Sequence, residues 1–351
     1  LQQKIFYKDF LESHSFVDKY SQTRSESNLT ILAYVTPRST LLQSFLLSLP
    51  SGYKLGESTR HISSLVFTTW ISVRILSYIN LSAWMKELKI SDPAIKIVPR
   101  ILFDGWSSLD FSETLTKRSN ALSCAAIIVQ ALQEYGFDGA VLELWSQHSG
   151  TSETDLVNFI KILSRSFKDS AMVIILVVPP FMYNGGFPGR FQRNHFTLLF
   201  ENIDYFSLMT YDYSNAHSPG PNSPIGWVKK CIYHLAPDDD DEPEKVAKQR
   251  AKLLVGTNFY GNDYEPSYHR ANSILGQDFV KLVDQYHPSF LWNEEDAEHV
   301  VTYRDKRSIE HQVFYPSMLS IARRLSLLQE LGTGLSIWEI GQGLDSFLSL
   351  L

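Results

Sequence analysis

Residues 136–147 read GFDGAVLELWSQ. In a strand the side chains alternate between two faces, so Val141, Glu143 and Trp145 share one side. Glu143 can hold or give a proton, whereas an indole N–H is no acid at biological pH. Acid–base chemistry needs a second titrating group beside the first, and this face pairs a carboxyl with an aromatic instead. Other chemistry-bearing residues stand at the ends of apolar runs: Arg100-Ile-Leu-Phe-Asp104-Gly-Trp106, Met209-Thr-Tyr211-Asp212-Tyr213, Asn258-Phe-Tyr260 and Trp338-Glu339. Carboxylates, amides and aromatics recur among them, and histidines do not. That set fits a polyhydroxylated ligand, hydrogen-bonded at its ring edges and stacked on its ring faces. A metal or nucleophilic-cysteine site is not expected, nor is any cofactor.

The elements that must carry these residues follow from the apolar pattern. Eight runs are expected as strands: residues 29–35, 62–69, 96–103, 139–145, 172–178, 205–211, 253–258 and 335–338. Helical spacing marks residues 112–135, 153–167, 191–199 and 317–331, the last followed by Gly332 as a stop. Alternation of short apolar runs with amphipathic stretches predicts parallel strands joined by helices, an α/β chain folded as a (β/α)8 TIM barrel. An open doubly wound sheet would carry a glycine-rich turn after the first strand, where this chain has Thr36-Pro37-Arg38. In such a barrel the functional site lies at the C-terminal ends of the strands, where the candidate residues fall.

Two domain-level features are expected. Residues 1–28 form a polar lead-in with a short helix near 5–11, and residues 29–351 form the barrel. Between the seventh and eighth strands, residues 261–316 are too long for a simple loop. They contain Phe290-Leu-Trp292, His299-Val-Val-Thr-Tyr303 and His311-Gln-Val-Phe-Tyr315, which read as short antiparallel strands. A small α+β insertion over one side of the barrel mouth is therefore predicted. Residues 37–80 fit the rhythm least, because 41–49 and 70–79 are apolar without a clear face. The acidic run 238–244 reads as a solvated loop, since contiguous carboxylates do not impose a metal geometry.

Composition narrows the partners. A formal net charge of -6 over 351 residues, with no basic helix, argues against nucleic acid. No apolar run is long enough for a membrane span. Aromatics reach 13 %, enough to fill a core and leave some for a sugar-binding mouth. Cys124 and Cys231 read as buried thiols on separate helices. Asn28-Leu-Thr30 and Asn80-Leu-Ser82 fit the glycosylation acceptor pattern and lean towards secretion, and a signal peptide would lie upstream of Leu1.

Three stretches resemble the chitinases of glycoside hydrolase family 18. That family carries Asp-Gly-x-Asp-x-Asp-x-Glu on its fourth strand, with the last Glu as proton donor. Here Asp138 and Gly139 match, the middle Asp is Val141, the assisting Asp is Glu143 and the acid Glu is Trp145. Met209-Thr-Tyr211-Asp212 resembles the Met-x-Tyr-Asp of strand six, whose Tyr bonds the acetamido group and whose Asp supports that pocket. Trp338 matches the strand-eight Trp that floors the sugar subsite. Longer stretches, 206–222, 258–261 and 336–345, are similar to a chitinase-like branch of the family. The resemblance runs from about residue 94 to the C-terminus and thins upstream to Ala33-Tyr-Val-Thr-Pro37, where Arg38 replaces an aromatic common in relatives.

The resemblance implies a secreted or lysosomal saccharide-binding protein without chitinase activity, taking chitin-type amino-sugar oligosaccharides. Family members use substrate assistance while Glu protonates the leaving oxygen, and losing a general acid costs roughly 10²–10⁴-fold. Glu143 lies two residues back, about 6–7 Å deeper in the barrel, and is expected as a buried carboxylate bonded to Tyr211. Trp145 has two readings, a platform facing the ligand or a plug sealing the barrel. Trp106, Asn258 and Tyr260 complete the expected binding set with Tyr211, Asp212, Trp338 and Glu339. Two other functions stay open: a glycosidase using Glu143 or Glu339 as a non-standard acid, and an interaction module with a closed cleft whose insertion meets a protein receptor.

Overall fold

Strands buried on both faces are near-continuous apolar runs, and the strands of this chain have that composition. The computed structural model describes residues 29–35, 64–70, 81–103, 106–146 and 152–351. The expected lead-in, Arg38, Asp104 and most of residues 37–80 lie outside the described residues. Parallel strands β1 (Thr30–Val35), β2 (Ser64–Trp70), β3 (Lys96–Leu102), β4 (Gly139–Glu143), β5 (Val173–Val178), β6 (Tyr205–Leu208) and β7 (Leu253–Asn258) each pair with their sequence neighbour. The last strand, β13 (Gly334–Trp338), lies between β7 and β1. The result is a parallel α/β sheet whose pairing returns from β2 to β1.

Helices cover the outside. They are α1 (Leu81–Ser91), α2 (Ser108–Thr116), α3 (Arg118–Glu134), α4 (Glu153–Asp169), α5 (Arg193–Leu199), α6 (Ile225–Leu235) and α7 (Pro243–Ala251). The expected single helix at 112–135 is two, because Lys117 is extended (φ -96°, ψ 106°) and Ser107 starts α2 with a capping box. The acidic run is an exposed turn leading into α7, where Asp238 meets Arg250 at 2.6 Å. Both cysteines are free thiols, Cys124 half-buried on α3 and Cys231 buried on α6. Between strands and helices lies the larger apolar core, which includes Leu142, Leu144, Phe159, Phe191, Phe196 and Phe206. A smaller core of Leu32, Tyr34, Val98, Val141, Ile175, Val177 and Leu254 fills the inside of the strand ring.

The insertion after β7 is an antiparallel sheet. Its strands are β8 (Gly261–Glu265), β9 (Arg270–Ile274), β10 (Ser289–Asn293), β11 (Glu298–Arg304) and β12 (Glu310–Phe314), in the order β10-β11-β12-β8-β9. Helix α8 (Gly276–Tyr286) lies within it, and α9 (Met318–Leu331) returns the chain to β13. Three of these strands match the predicted segments. The other two, β8 and β9, read GNDYE and RANSI, which lack an apolar alternation because β9 is an exposed edge. Ser317 caps α9 and Gly332 ends it at φ 68°, as its position implied.

Candidate functional site

Strand ends decide where the chemistry sits, and two of them depart from simple alternation. Strand β4 stops at Glu143 rather than at residue 145. Val141 belongs to the inner core, while Leu144 and Trp145 both belong to the outer one and are 0 % and 1 % exposed. The Trp145 indole meets the Phe191 ring edge-on at 5.0 Å and His195 at 4.9 Å. This corrects the expectation that Trp145 shares a face with Glu143, either as a platform or as a plug. Once the ladder ends, the indole turns into an apolar pocket under the helices, where burying a large aromatic is favourable. An unpaired carboxylate could not be buried there without a large penalty.

Glu143 remains on the inner side. Arg100 Nε donates to its Oε2 at 2.7 Å and a second guanidinium nitrogen reaches the same oxygen. Ser146 Oγ approaches Oε1 at 3.4 Å. The expected bond to Tyr211 is replaced by this ion pair, because Arg100 on the neighbouring strand β3 points into the same interior. Arg100 also lies over the Trp338 ring, with its guanidinium carbon 4.8 Å from the ring centroid.

Beyond β6, neighbours place the residues that the strand no longer orders. Met209 N–H donates to Val178 O at 2.9 Å, and Thr210 Oγ donates to Gly256 O at 2.8 Å. Gly256 is what lets the Tyr211 ring lie against strand β7. A Cβ there would stand 2.8 Å from Tyr211 Cε1 and 2.5 Å from Leu208 O. Asp212 takes a left-handed backbone (φ 59°), which aspartate tolerates better than most residues. Its N–H donates to Asn222 Oδ1 at 2.5 Å, and its carboxylate accepts from the Tyr260 hydroxyl. Asp212 is exposed as a residue, yet burial of its carboxyl raises its pKa and the Tyr260 bond only partly opposes this. Burial, then the Asp212 charge, pushes the Tyr260 phenol far above its usual range, so Tyr260 stays a donor.

Trp338 ends β13 on the opposite side, joined to Glu339 by a cis peptide. Its indole is 4.8 Å from the Tyr34 ring and 6.4 Å from the Tyr211 ring. Tyr34 and Ser207 hydroxyls lie 3.0 Å apart, and Ser207 is 3.1 Å from Ser336, a hydroxyl chain linking β1, β6 and β13. Burial holds the Tyr211 phenol well above its normal pKa, reinforced by Tyr34, Glu143 and Asp212 and opposed by Arg100. The Tyr211 hydroxyl has no hydrogen-bond partner among the described residues.

The structure thus brings together Glu143, Tyr211, Asp212, Tyr260 and Trp338. Asn258 lies buried alongside, opposite Trp338 in the sheet, and donates to Tyr260 O at 2.7 Å. Glu339 is buried at the start of the short turn Ile340–Gln342. Trp106 is not in this group, a second correction: its ring packs on Phe103 at 4.9 Å and Phe111 at 4.8 Å in the outer core. Arg100 and Tyr34 are the residues that sequence reasoning passed over. Period-two alternation, Leu32/Tyr34 in β1 and Val98/Arg100 in β3, already placed both inside the ring. Among the described residues, no group of three or more His, Cys, Asp or Glu is placed to hold a metal, and no helix is long and apolar enough to cross a membrane.

Parallel strands with their helices, an antiparallel insertion before the last strand and an aromatic and acidic mouth define a chitinase-type fold. The model of glycosyl hydrolases family 18 matches residues 16–343, and the chain belongs to that family. Its fold is similar to a chitinase from Chromobacterium violaceum (TM-score 0.70, 17 % identity, covering 92 % of this chain and 97 % of that one). It is also similar to the spore cortex-lytic enzyme SleL of Bacillus megaterium (TM-score 0.70, 17 % identity, 93 % and 74 %). YKL-39, solved with chitooligosaccharides (GlcNAc4), aligns at TM-score 0.68 with 14 % identity over 91 % of this chain and 97 % of that one. Identities this low speak for fold alone. In sequence, the cortical fragment-lytic enzyme of Bacillus cereus is 23 % identical over 84 % of this chain and 69 % of its own length. That of Bacillus subtilis is 28 % identical over 40 % of this chain. The chain spans about a third of the length of the Bacillus anthracis and Bacillus subtilis relatives (35 % and 32 %).

Proposed function

We propose that this protein is a non-catalytic, chitinase-like saccharide-binding protein that takes amino-sugar oligosaccharides at the mouth of a full (β/α)8 barrel. One observation carries the reading: the side chain at the family's proton-donor position, Trp145, is folded into the outer core. The carboxyl two residues earlier, Glu143, is engaged by Arg100. Proton donation to a leaving oxygen then lacks its usual group, while gripping groups persist. Trp338 supplies a ring face, the Tyr211 hydroxyl a donor with no partner among the described residues, and Asp212 an acceptor held by Tyr260. Asn258 and Glu339 support the two ends of this set.

YKL-39 crystallised with a chitooligosaccharide lends weight to an amino-sugar ligand. The glycosylation-type tripeptides at Asn28 and Asn80 favour a secreted or lysosomal location. The test is calorimetric titration with chitotetraose. Wild type is expected to bind at micromolar affinity or weaker. The double variant Tyr211→Phe, Trp338→Ala is expected to lose at least about tenfold, or 1.4 kcal/mol. Undiminished affinity in that variant removes the proposed site. Reducing ends released from chitooligosaccharide by wild type, and abolished by Glu143→Gln or Glu339→Gln, would replace the binding reading with a glycosidase using a non-standard acid. A blank glycan array beside robust capture of a protein partner would favour the interaction module.

A further inference from the structure

The insertion reaches the saccharide site through a buried ion pair that neither signature contains. Glu298 opens strand β11 and Arg324 lies on α9, each 4 % exposed. Arg324 Nη2 donates to Glu298 Oε1 at 2.6 Å and also to Ser223 O, while Nη1 donates to Ala297 O at 3.0 Å and Ser320 O at 2.9 Å. Glu298 in turn accepts the backbone N–H of Ser223 at 3.1 Å and of Asn222 at 3.4 Å. Carboxylate and guanidinium therefore converge on one short segment, residues 222–223, in the loop between β6 and α6.

That segment holds the strand-six signature from below. Asn222 is 1 % exposed, and its Oδ1 accepts the Asp212 N–H at 2.5 Å while its backbone oxygen accepts the Tyr213 N–H at 3.0 Å. Ser223 Oγ donates to Thr210 O at 2.6 Å. The main chain from Thr210 to Tyr213 thus takes three bonds from two residues that the ion pair clamps. Swapping such a pair for apolar residues of similar volume is often neutral or stabilising, so what this pair holds in place is of more interest than its own stability. Asp212 needs geometry, since its left-handed backbone is uphill for a residue with a Cβ.

We propose that Glu298 and Arg324 are positioning residues for the saccharide site: through Asn222 and Ser223 they hold Asp212 in its left-handed backbone with its carboxylate on the Tyr260 hydroxyl. The site's acceptor is then set by the insertion and α9 rather than by the strand that carries it. The inference rests on the binding reading for its ligand, but its geometry is testable without one. Burial raises the Asp212 pKa and the Tyr260 bond opposes it. A changed titration in an Asn222 variant, where Glu298 and Arg324 keep their charges, therefore reports a moved carboxyl.

The experiment is carboxyl ¹³C NMR titration of Asp212 in the free protein, beside calorimetry with chitotetraose. Glu298→Gln keeps the shape and removes the charge; Asn222→Ala removes the last link and leaves the ion pair in place. Both are expected to move the Asp212 midpoint away from wild type, as Tyr260→Phe does directly, and to weaken chitotetraose at least fivefold. An Asp212 titration unmoved in both folded variants overturns the inference. If Glu298→Gln does not fold, Asn222→Ala decides by the same criterion. If wild type fails to bind chitotetraose, the binding reading falls, and the titration still decides the positioning role.

Discussion

The fourth and sixth strands carry the two signatures that resemble the family, and they end differently. After Glu143 the chain turns its next two side chains, Leu144 and Trp145, into the outer core. After Leu208 it turns Tyr211 toward Tyr34 and Trp338 and places Asp212 on Tyr260. In both regions the ladder has stopped before the residues of interest. What separates them is what the neighbourhood offers. Beside β4 lies a pocket of Phe191 and His195 that takes the indole, with His195 already paired to the Glu153 carboxylate at 2.9 Å. Beside β6 lies Gly256, whose missing side chain leaves a bed for a phenol ring. The indole at residue 145 is thus held in the outer core, away from the inner face that carries Glu143.

The sharpest way to break this contrast is Trp145→Ala. Truncating a fully buried Trp is expected to cost about 3–5 kcal/mol of stability, read by urea unfolding. Chitotetraose affinity of the folded protein should stay within about twofold, less than 0.5 kcal/mol. An affinity loss of tenfold in a folded variant would put the indole back in the site. Gly256→Ala tests the other side. Its Cβ meets backbone as well as the Tyr211 ring, so about 3 kcal/mol is expected, the upper part of the overpacking range. Here binding should fall along with stability, because the ring that must move is the one proposed above to contact ligand.

The strand set was legible because buried parallel strands declare themselves as apolar runs, and β7 matches its expected residues 253–258. Strand ends were not. Periodicity extends β4 to residue 145 and β6 to 211, yet pairing stops at 143 and 208. The side-chain direction beyond those points depends on contacts with Phe191, Gly256 and Asn222, all distant in the chain. Tyr211, Asp212 and Trp338 were singled out by their place at the ends of apolar runs and by motif resemblance. Arg100 was visible as a cation at an inner position of KIVPRIL, but its partner emerges only from β3 pairing with β4. Trp106 misled because an aromatic near a strand end is equally suited to covering α2.

The Arg100–Glu143 pair offers a subtler comparison. Glu143→Gln leaves an uncharged acceptor for the guanidinium, and about 1–2 kcal/mol of stability should be lost by denaturant unfolding. The freed Arg100 would still stack on Trp338. If the strand-four carboxyl is structural, chitotetraose binding persists. If it titrates during a reaction, any reducing-end release vanishes with it, and the contrast between the two signatures collapses into a shared catalytic site.

The smallest expected effect is a pH dependence from Asp212, just beyond the sixth strand; Trp145 itself holds no titrating proton. Burial raises the Asp212 pKa in the folded protein, whereas the unfolded residue titrates near about 3.9. The folded state then binds that proton more tightly. Its contribution to stability is fully present below the unfolded value and is lost as pH rises through the folded one. His299 in the insertion works oppositely. Burial depresses its pKa to about 4, so the stability it lends is present above about 6.5 and is lost as pH falls toward 4. The two overlap in mildly acidic solution, and a wild-type profile alone would mask the weaker one. The measurement is therefore a difference, wild type minus Asp212→Asn, by urea unfolding from pH 3.5 to 7. The difference should decline as pH rises and then level off. A flat difference would mean that the Asp212 carboxyl is as solvated when folded as when unfolded.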